Sequence, residues 1–522
     1  MPSEDLRTVT DRLFRTGPDE PGAVVAVTRN GKEILRAAYG MADIANGVPL
    51  DARTVIRIGS QSKQFTVLLT HMLAAEGKLS LDDEVGRYLP WLPKYAAPVT
   101  LRHVATNTSG LREFLEVLAF AGIPITSEST RETARRVIAR HAEFNFPPGE
   151  AMLYCNTGFF LLSEIVEQVS GRSFNELLAE RITGPLGMAD TLLMPRDSQI
   201  LPRLANHHSR GPDGAWHRAH WGVVLGGEGG MVSTLEDMLA WQANLASPKV
   251  GTPGMYRAMA TPAPYRNGSM ALYAMGLVTE RYRGLLSVGH GGGVAGGRSE
   301  SMRFPDEGLG IVILGNRDDI SPYSLALRIA DAALGDRMTN ARNAADMPRL
   351  AACAGMYRHD GGDDLFEIAV DGGEPVLVTN MGSAAIEQLG PNQFAPERPT
   401  MHLIFSPDGE GAMDATFCGE RRRYRRINAA PPPSPHAIEG SWRHADAGIT
   451  AEIAPEGSGH TLRLTSDFGV LSLALAHLDG DLFIARPPGG AAARPWTCTI
   501  RATGDAVLLT SDRTKQLRFA RS

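Results

Sequence analysis

Two predicted pairs of β-strands stand at opposite ends of a long, mainly helical stretch of this 522-residue sequence. The first pair joins residues 22–30 and 33–39 through an Asn-Gly dipeptide, which readily adopts the positive φ of a tight hairpin turn. The second pair joins residues 300–304 and 310–314 through a turn that contains Pro and Gly. Strands at both ends with helices between them predict one sheet that is assembled from distant segments and covered by helices.

The stretch between the strand pairs carries apolar residues at helical spacing. Helices are predicted over residues 64–76 and 158–170, and each is followed by a glycine that suits a helix C-terminus. A further helix over 323–334 would complete this first domain. Its predicted class is α+β.

The composition of the sequence changes near residue 335, where a polar stretch rich in Ala, Asn and Arg begins. From Leu350 onward, Asp-Gly, Gly-Gly or Pro breaks short apolar alternations about every eight to twelve residues, which is typical of all-β domains. The segment 430–435 interrupts this pattern as a stiff, Pro-rich connector. The predicted organisation is a first domain over 1–335, a linker over 336–348, an all-β domain over 349–428, a Pro-rich linker over 429–436 and an all-β domain over 437–522.

A short sequence repeat marks the start of both all-β domains. Gly-Met-Tyr-Arg-His at 355–359 recurs as Gly-Ser-Trp-Arg-His at 440–444. Similar segments at corresponding positions predict a duplicated β unit. The alternative is coincidence among residues that commonly begin strands.

Charge and cysteine usage exclude several classes of function. A net charge of −6 without a basic stripe argues against a nucleic-acid partner. The four cysteines are far apart and lack C-x-x-C spacing, so neither a disulfide framework nor a zinc site is predicted. The chain starts with acidic residues instead of a basic, then apolar, leader, and it lacks a run of about 20 apolar residues. We therefore expect a cytoplasmic protein that has no membrane partner, metal or cofactor.

The first motif that carries chemistry is S-x-x-K at Ser60 to Lys63. Positions i and i+3 share a helix face, so the Lys63 amine can reach the Ser60 hydroxyl. A serine hydroxyl needs a base beside it at neutral pH, and lysine can be that base only when its pKa falls well below about 10.4. Only six of the 52 Lys and Arg residues are lysines, which makes a chance match less common. The alternative is a helix N-terminus at which Ser60 is only the cap.

A second motif, Y-x-N at Tyr154 to Asn156, follows a Pro-Pro-Gly turn and precedes a predicted helix. A tyrosine near a neutral lysine can pass protons to a leaving group, and an asparagine amide can hold a substrate carbonyl. Another Y-x-N at 265–267 lies in a polar, glycine-flanked loop. We predict that this second copy lies at the surface.

The third motif is a histidine followed by three glycines, at His290 to Gly293. Glycines allow a substrate to lie against strand backbone, and a free N–H there can complete an oxyanion hole with the N–H of Ser60. Another H-x-G occurs at 220–222, so a purely structural role for His290 is the alternative.

These three motifs, in this order, resemble those of the penicillin-recognising serine hydrolases, which include class C β-lactamases, DD-peptidases, related esterases and D-aminopeptidases. Segments at 78–83, 107–111 and 229–234 match as well, and the resemblance covers roughly residues 20–320. It implies a catalytic domain like that of β-lactamases and penicillin-binding proteins, with an antiparallel sheet flanked by helices. It also implies that the two all-β domains are antiparallel β-barrels.

The resemblance implies a role for each motif residue. Ser60 would be the nucleophile and Lys63 its base, while Tyr154 and His290 would take part in proton transfer. The N–H groups of Ser60 and Gly293 would form the oxyanion hole. The further residues expected to contact substrate are Asn156 and Gly292.

In D-aminopeptidases of this family, a loop from the last domain reaches the active site with an acid that meets the substrate amine. The corresponding loop here contains no Asp or Glu, so recognition of a free amine is in question. Its residues are Arg486, Pro487, Pro488, Gly489, Gly490, Ala491, Ala492, Ala493 and Arg494.

The three-domain layout resembles that of the D-aminopeptidases in this family, and this resemblance implies a D-stereospecific aminopeptidase that releases N-terminal D-amino acids such as D-alanine from short peptides, amides and esters. His290 stands where β-lactamases and DD-carboxypeptidases carry the lysine of K-T-G, and a mostly neutral histidine makes free C-terminal carboxylates poorer substrates. Two alternatives stay open: a β-lactamase-like esterase or amidase, or DD-peptidase-like enzyme, without free-amine specificity, and a non-catalytic binding protein. The sequence also leaves open whether the chain forms a homodimer.

Overall fold

A computed structural model describes residues 5–522 with several interruptions. The predicted Pro-rich linker 429–436 lies outside the described residues, as does most of the predicted linker 336–348. The interruptions are residues 212, 267, 269–270, 272, 339–346, 380–381, 391, 397–402, 418–419, 428–437, 458 and 488–497.

The N-terminal part of the chain contains both helices and strands. Its strands are β1 (Ala23–Arg29), β2 (Lys32–Tyr39), β3 (Met41–Asp43), β4 (Val48–Pro49), β5 (Ile56–Arg57), β6 (Leu192–Leu193), β7 (His208–Arg210), β8 (Trp216–Arg218), β9 (Met231–Ser233), β10 (Val278–Tyr282), β11 (Leu285–Val294), β12 (Gly297–Phe304) and β13 (Leu309–Gly315). Its helices are α1 (Leu6–Leu13), α2 (Ser62–Ala75), α3 (Leu101–Ala105), α4 (Phe114–Phe120), α5 (Arg131–Ala139), α6 (Asn156–Ser170), α7 (Phe174–Leu178), α8 (Gly184–Leu186), α9 (Leu235–Ala246), α10 (Pro253–Ala260) and α11 (Pro322–Leu334).

One six-stranded antiparallel sheet organises this part, in the order β10-β11-β12-β13-β1-β2. Strand β1 therefore lies between its hairpin partner β2 and the distant strand β13. This arrangement confirms the prediction of an α+β domain whose sheet joins both ends of a helical stretch. Helix α2 begins at Ser62, two residues before the predicted start at residue 64, because the S-x-x-K segment itself leads into the helix.

Helices cover both faces of the sheet, as the burial of the side chains of strand β1 shows. Its side chains alternate between the faces, as strand geometry requires. Val24 and Ala26 belong to the apolar core that includes α2, α6 and α9, whereas Val25 and Val27 pack in the core beside α11. Burial on both faces explains the uninterrupted apolar run of this strand.

Two closed eight-stranded antiparallel barrels follow, which confirms the predicted barrel fold. The repeated segments at 355–359 and 440–444 form the first strand of each barrel. After helix α12 (Met347–Ala352), the strands of the first barrel are β14 (Gly355–His359), β15 (Leu365–Asp371), β16 (Glu374–Thr379), β17 (Gly382–Gly390), β18 (Gln393–Pro396), β19 (Leu403–Pro407), β20 (Ala412–Phe417) and β21 (Glu420–Arg426). Those of the second are β22 (Gly440–His444), β23 (Ile449–Glu456), β24 (Gly459–Thr465), β25 (Val470–Asp479), β26 (Leu482–Arg486), β27 (Cys498–Thr503), β28 (Ala506–Thr510) and β29 (Leu517–Arg521).

The second barrel packs directly against the α+β part. Phe120 and Ala121, at the end of α4, are buried in the apolar core of this barrel. Arg140 also makes a two-pronged ion pair with Asp467, at 2.5 and 2.7 Å. The turn at 511–516, between β28 and β29, forms hydrogen bonds with Glu116, Asn145 and Arg112 of the α+β part. Among the described helices, none is long and apolar enough to cross a membrane.

Candidate active site

Ser60 lies on a single 3₁₀ turn, Gly59–Gln61, that leads into α2. Gly59 has a φ of +53°, and a Cβ atom there would stand 2.6 Å from the backbone nitrogen of Gly293. Only glycine therefore lets the turn that carries Ser60 press against strand β11. Ser60 is not a helix cap, because α2 begins at Ser62, whose own hydroxyl donates to the Gly59 carbonyl at 2.6 Å.

Lys63 is fully buried beneath Ser60, and its amine has three oxygen neighbours. Nζ lies 3.1 Å from Ser60 Oγ, 2.7 Å from Asn156 Oδ1 and 2.6 Å from the backbone carbonyl of Glu228. The amide and carbonyl oxygens can only accept hydrogen bonds. A neutral amine must therefore direct both of its N–H groups at them, which leaves its lone pair for the Ser60 hydroxyl.

Burial favours this neutral amine. It lowers the pKa of Lys63 from 10.5 to about 7, although the carboxylates of Glu228 and Glu113 oppose the shift. The Glu228 side chain is itself buried, and burial raises its pKa above the usual range for a carboxyl group. The two groups form a buried pair whose protons are linked.

Asn156 is held by a carboxylate that the motif analysis did not single out. Glu113, at the start of α4, accepts hydrogen bonds from the Asn156 backbone N–H at 2.5 Å and from its Nδ2 at 3.0 Å. This fixes the amide so that Oδ1 faces Lys63. Both ends of the Asn156 side chain are thus engaged within the protein, and its expected contact with substrate remains a prediction.

Tyr154 stands beside Lys63 with its ring 4.8 Å from the amine. The ring also makes edge contacts with Tyr273, at a centroid distance of 5.7 Å, and is tilted against His290 at 6.1 Å. Its buried hydroxyl has no partner at hydrogen-bonding geometry among the described residues. Burial raises the pKa of Tyr154 well above 10, and the proximity of Ser60 partly offsets this rise.

His290 lies beside the Tyr154 ring, and the hydrogen-bond partners of its two ring nitrogens define its tautomer. Nδ1 is 2.6 Å from the carbonyl of Gly291, so this nitrogen carries the proton and donates. Nε2 then accepts from the Tyr273 hydroxyl at 3.1 Å. Burial and the nearby Lys63 lower the pKa of His290 to about 3, which keeps it neutral. Tyr273 is the residue here that the sequence motifs did not indicate.

The glycine run of β11 forms an open strand edge. Strand β10 pairs with β11 only as far as Gly289, so the following residues lack a strand neighbour on that side among the described strands. A Cβ atom on Gly292 would meet the Ile58 carbonyl at 1.8 Å, which shows how closely this edge approaches the Ser60 turn. Ser60, Gly292 and Gly293 are therefore brought together as the motifs predicted, while the roles of these glycines remain predictions.

The second barrel reaches this site through the turn at 511–516. The Arg513 guanidinium lies 4.9 Å from the centre of the Tyr154 ring. Of the loop predicted to cover the site, only Arg486 and Pro487 are described, and Arg486 is an exposed residue at the end of β26; residues 488–494 lie outside the described residues. Nothing in the sequence around Arg513 marked this turn as part of the site.

The duplicate copies of the motifs lie elsewhere. His220 is half exposed, near Asp197. The predicted surface position of 265–267 is wrong for Tyr265, whose side chain is buried, and Asn267 lies outside the described residues. Within the described part of the chain, no three His, Cys, Asp or Glu side chains converge as metal ligands.

The fold is that of penicillin-binding proteins. A penicillin-binding protein homologue from Pyrococcus abyssi, whose structure is octameric, aligns with 78% of this chain and 96% of its own at a TM-score of 0.57 and 23% identity. The family model described as Beta-lactamase matches residues 10–335, and the chain belongs to this family.

Relatives with assigned activities are D-aminopeptidases and a D-amino acid amidase. A D-aminopeptidase from Cereibacter sphaeroides is 33% identical over 316 residues, and one from Brucella canis is 31% identical over 341 residues. These matches cover 60% and 64% of this chain and the same shares of the relatives, so the chain spans less than two thirds of their length in alignment. The D-amino acid amidase from Ochrobactrum anthropi SV3, solved with D-phenylalanine, is 25% identical, with a TM-score of 0.55 over 64% of this chain and 100% of its own.

Proposed function

We propose that the chain is a serine hydrolase that forms an acyl-enzyme on Ser60 and acts as a D-stereospecific aminopeptidase on short peptides, amides and esters. The observation that carries the chemistry is the set of three oxygens around Lys63, of which only Ser60 Oγ can donate a proton to a neutral amine. The D-aminopeptidase and D-amino acid amidase relatives support the choice of substrate.

Acylation begins when Lys63 accepts the proton of Ser60 and Oγ attacks the substrate carbonyl carbon. The carbonyl π electrons move to oxygen, and the resulting oxyanion is stabilised by the N–H groups of Ser60 and Gly293. The tight approach of the Ser60 turn to β11 supports this use of both groups.

Collapse of the tetrahedral intermediate breaks the C–N bond, and the leaving amine takes a proton. Tyr154 is suited to transfer that proton from Lys63, because its ring borders the amine while its hydroxyl has no direct partner among the described groups. Water then attacks the carbonyl carbon of the acyl–Ser60 ester while Lys63 accepts one of its protons; the bond between the acyl carbon and Oγ breaks, and Lys63 returns the proton to Oγ. His290 and Tyr273 hold the far side of the Tyr154 ring.

A second candidate function is an esterase or amidase without free-amine specificity. Two carboxylates in this region already bind protein groups: Glu113, which acts on Tyr154, accepts from Asn156, and Glu116, which binds the Arg513 N–H, also accepts from Ser511 Oγ at 2.5 Å. The charged group that the second barrel places against the Tyr154 ring is a cation, Arg513. A cation favours a blocked or anionic substrate over one with a free ammonium group.

A panel of p-nitroanilides and p-nitrophenyl esters separates these functions. We expect D-alanyl substrates with a free amine to be hydrolysed about 100-fold faster, as kcat/KM, than their N-acetylated forms, since a site that binds an amine rejects substrates without it. A preference of about the same size over the L forms is expected from the D-aminopeptidase and D-amino acid amidase relatives. Equal rates for free and acetylated amines would establish the second candidate instead. No turnover of any member would contradict the hydrolase itself.

The pH dependence of kcat/KM tests the neutral state of Lys63. A group whose pKa is lowered to about 7 is protonated below that pH and neutral above it. Because only the neutral amine accepts the Ser60 proton, we expect kcat/KM to rise with pH and to reach half its plateau near pH 7. The measurement is a series of steady-state rates from pH 5 to 9.

Glu228→Gln tests whether the charge near Lys63 sets the midpoint of this pH profile. It keeps the oxygen that accepts from the Gly226 N–H at 2.8 Å but removes the negative charge that favours protonated Lys63. The midpoint should therefore move to lower pH. A profile that is flat or falls between pH 6 and 8 in the wild type would contradict a neutral lysine base.

A further inference from the structure

We propose that Arg513, on the turn between the last two strands of the second barrel, is a positioning residue of the active site that acts through the ring of Tyr154. The inference rests on the proposed function, since it assigns the second barrel a part in the same reaction. It concerns a different turn from the loop at 486–494, and it needs no charge complementarity with the substrate.

The backbone around Arg513 is fixed to the α+β part from both sides. Its N–H donates to the Glu116 carboxylate at 3.2 and 3.3 Å, and its carbonyl accepts from Asn145 Nδ2 at 2.9 Å. Asn145 Oδ1 accepts from the Lys515 N–H at 2.8 Å, and the Lys515 carbonyl accepts from Arg112 at 2.5 Å. A turn held at four points places its side chain reproducibly.

That side chain lies against the catalytic tyrosine. The Arg513 guanidinium is 4.9 Å from the ring centre of Tyr154, within the range of a cation–π contact. The Tyr154 hydroxyl makes no hydrogen bond of normal geometry to a described residue, and Ser60 is the group that acts on it most strongly. Contacts to the ring therefore help to fix its orientation, and among those of the described residues Arg513 provides the one from outside the α+β part.

The positive charge of Arg513 favours the proposed reaction, as its position against the Tyr154 ring does. It adds to the burial that lowers the pKa of Lys63, and it eases ionisation of Tyr154 against the burial that raises the pKa of that phenol. Removing it should leave Lys63 more readily protonated. The other charged or titratable groups that act on Lys63, Tyr154 or Arg513 in the described structure are Glu113, Glu116, Cys155, Glu228, Tyr273, His290 and Asp512.

The test compares Arg513→Gln and Arg513→Lys with the wild type in steady-state kinetics on the preferred p-nitroanilide. We expect the Gln variant to lose about tenfold in kcat with little change in KM, because it lacks the cation–π contact that helps to hold the Tyr154 ring. Its pH midpoint should move upward by about half a unit, and Lys should restore the midpoint because it restores the charge. The matched control is Arg521→Gln, which removes a cation 5.1 Å from the Trp442 ring in the same barrel and should change neither quantity.

The outcomes separate the two proposals. An active wild type whose kcat and pH midpoint are unchanged by Arg513→Gln overturns the positioning role and leaves the proposed hydrolase intact. Equal losses in Arg513→Gln and Arg521→Gln, together with equal falls in the thermal unfolding midpoint, also overturn it, because the effect would then be one of barrel stability. An inactive wild type instead contradicts the proposed function.

Discussion

Replacing Ser60 by alanine is expected to abolish hydrolysis of every substrate while leaving the fold intact. The hydroxyl would form the covalent bond to the acyl group, and loss of a nucleophile lowers kcat by on the order of 10⁴ to 10⁶-fold. The fold should persist, because the change removes one oxygen from a partly exposed side chain whose bond partner Lys63 keeps two other acceptors. The measurement is kcat/KM on the best p-nitroanilide, with thermal unfolding of both proteins.

Ser62→Ala is the matched control for this result. Ser62 is two residues away, and its hydroxyl donates to the Gly59 carbonyl and accepts from the Met231 N–H, so it supports the turn without facing Lys63. We expect the control to lower the stability of the protein and to retain turnover. Wild-type rates in Ser60→Ala would show that another group is the nucleophile.

Replacing Lys63 by methionine is expected to be nearly as damaging, with a loss in kcat of about 10³ to 10⁵-fold, because nucleophile and base act as a unit. Methionine has a similar length and no charge, so it fills the buried space without supplying a base. The two oxygens that accept from Lys63, on Asn156 and Glu228, would lose a hydrogen bond, and some loss of stability is expected as well. Steady-state rates at pH 8, where the wild-type amine is neutral, measure the effect.

Lys63→Arg separates the charge of this residue from its basicity. Arginine places a permanent cation at the site, because it stays protonated at every working pH, so it cannot accept the Ser60 proton. Loss of activity in both variants is the expected result. Substantial activity in Lys63→Arg would mean that the positive charge of Lys63, and not its lone pair, is what the reaction uses.

The sequence predicted the hairpin of β1 and β2 and the meeting of Ser60 with Lys63 because both depend on local rules. Strand β1 and its partner β2 are joined by an Asn-Gly turn, and their pairing follows from that turn. The three-residue spacing from Ser60 to Lys63 brings the two side chains together wherever the segment enters a helix. The glycines at 291–293 likewise indicated a close backbone approach, which the structure shows at Ile58.

Other members of the site could not be predicted because their contacts cross the fold. Glu113 reaches Asn156 across 43 positions of sequence, and its only local signal was its place just after the segment 107–111. Tyr273 meets His290 through packing of two separate elements. Arg513 comes from the second barrel, whereas the rest of the site lies in the α+β part. Long-range contacts of this kind depend on how separate elements, and in the case of Arg513 separate domains, pack together, which no short motif encodes.

Asn156 shows how a motif can be recognised while the partners of its residues are not. The sequence suggested an amide that holds a substrate carbonyl, and the folded chain engages that amide with Lys63 on one side and Glu113 on the other. The motif predicted proximity to the site, which is what its spacing constrains. The direction of the amide depends on Glu113, a residue outside the motif.

Trapping the acyl-enzyme tests the central claim most directly. The wild type is mixed with the p-nitrophenyl ester of D-alanine, quenched in acid within the first turnovers, and examined by intact-mass and peptide mass spectrometry. We predict a mass increase equal to one D-alanyl group, with release of one p-nitrophenol, on the peptide that contains Ser60, and none in Ser60→Ala. Turnover without any adduct, or an adduct on a different residue that persists in Ser60→Ala, would contradict the account.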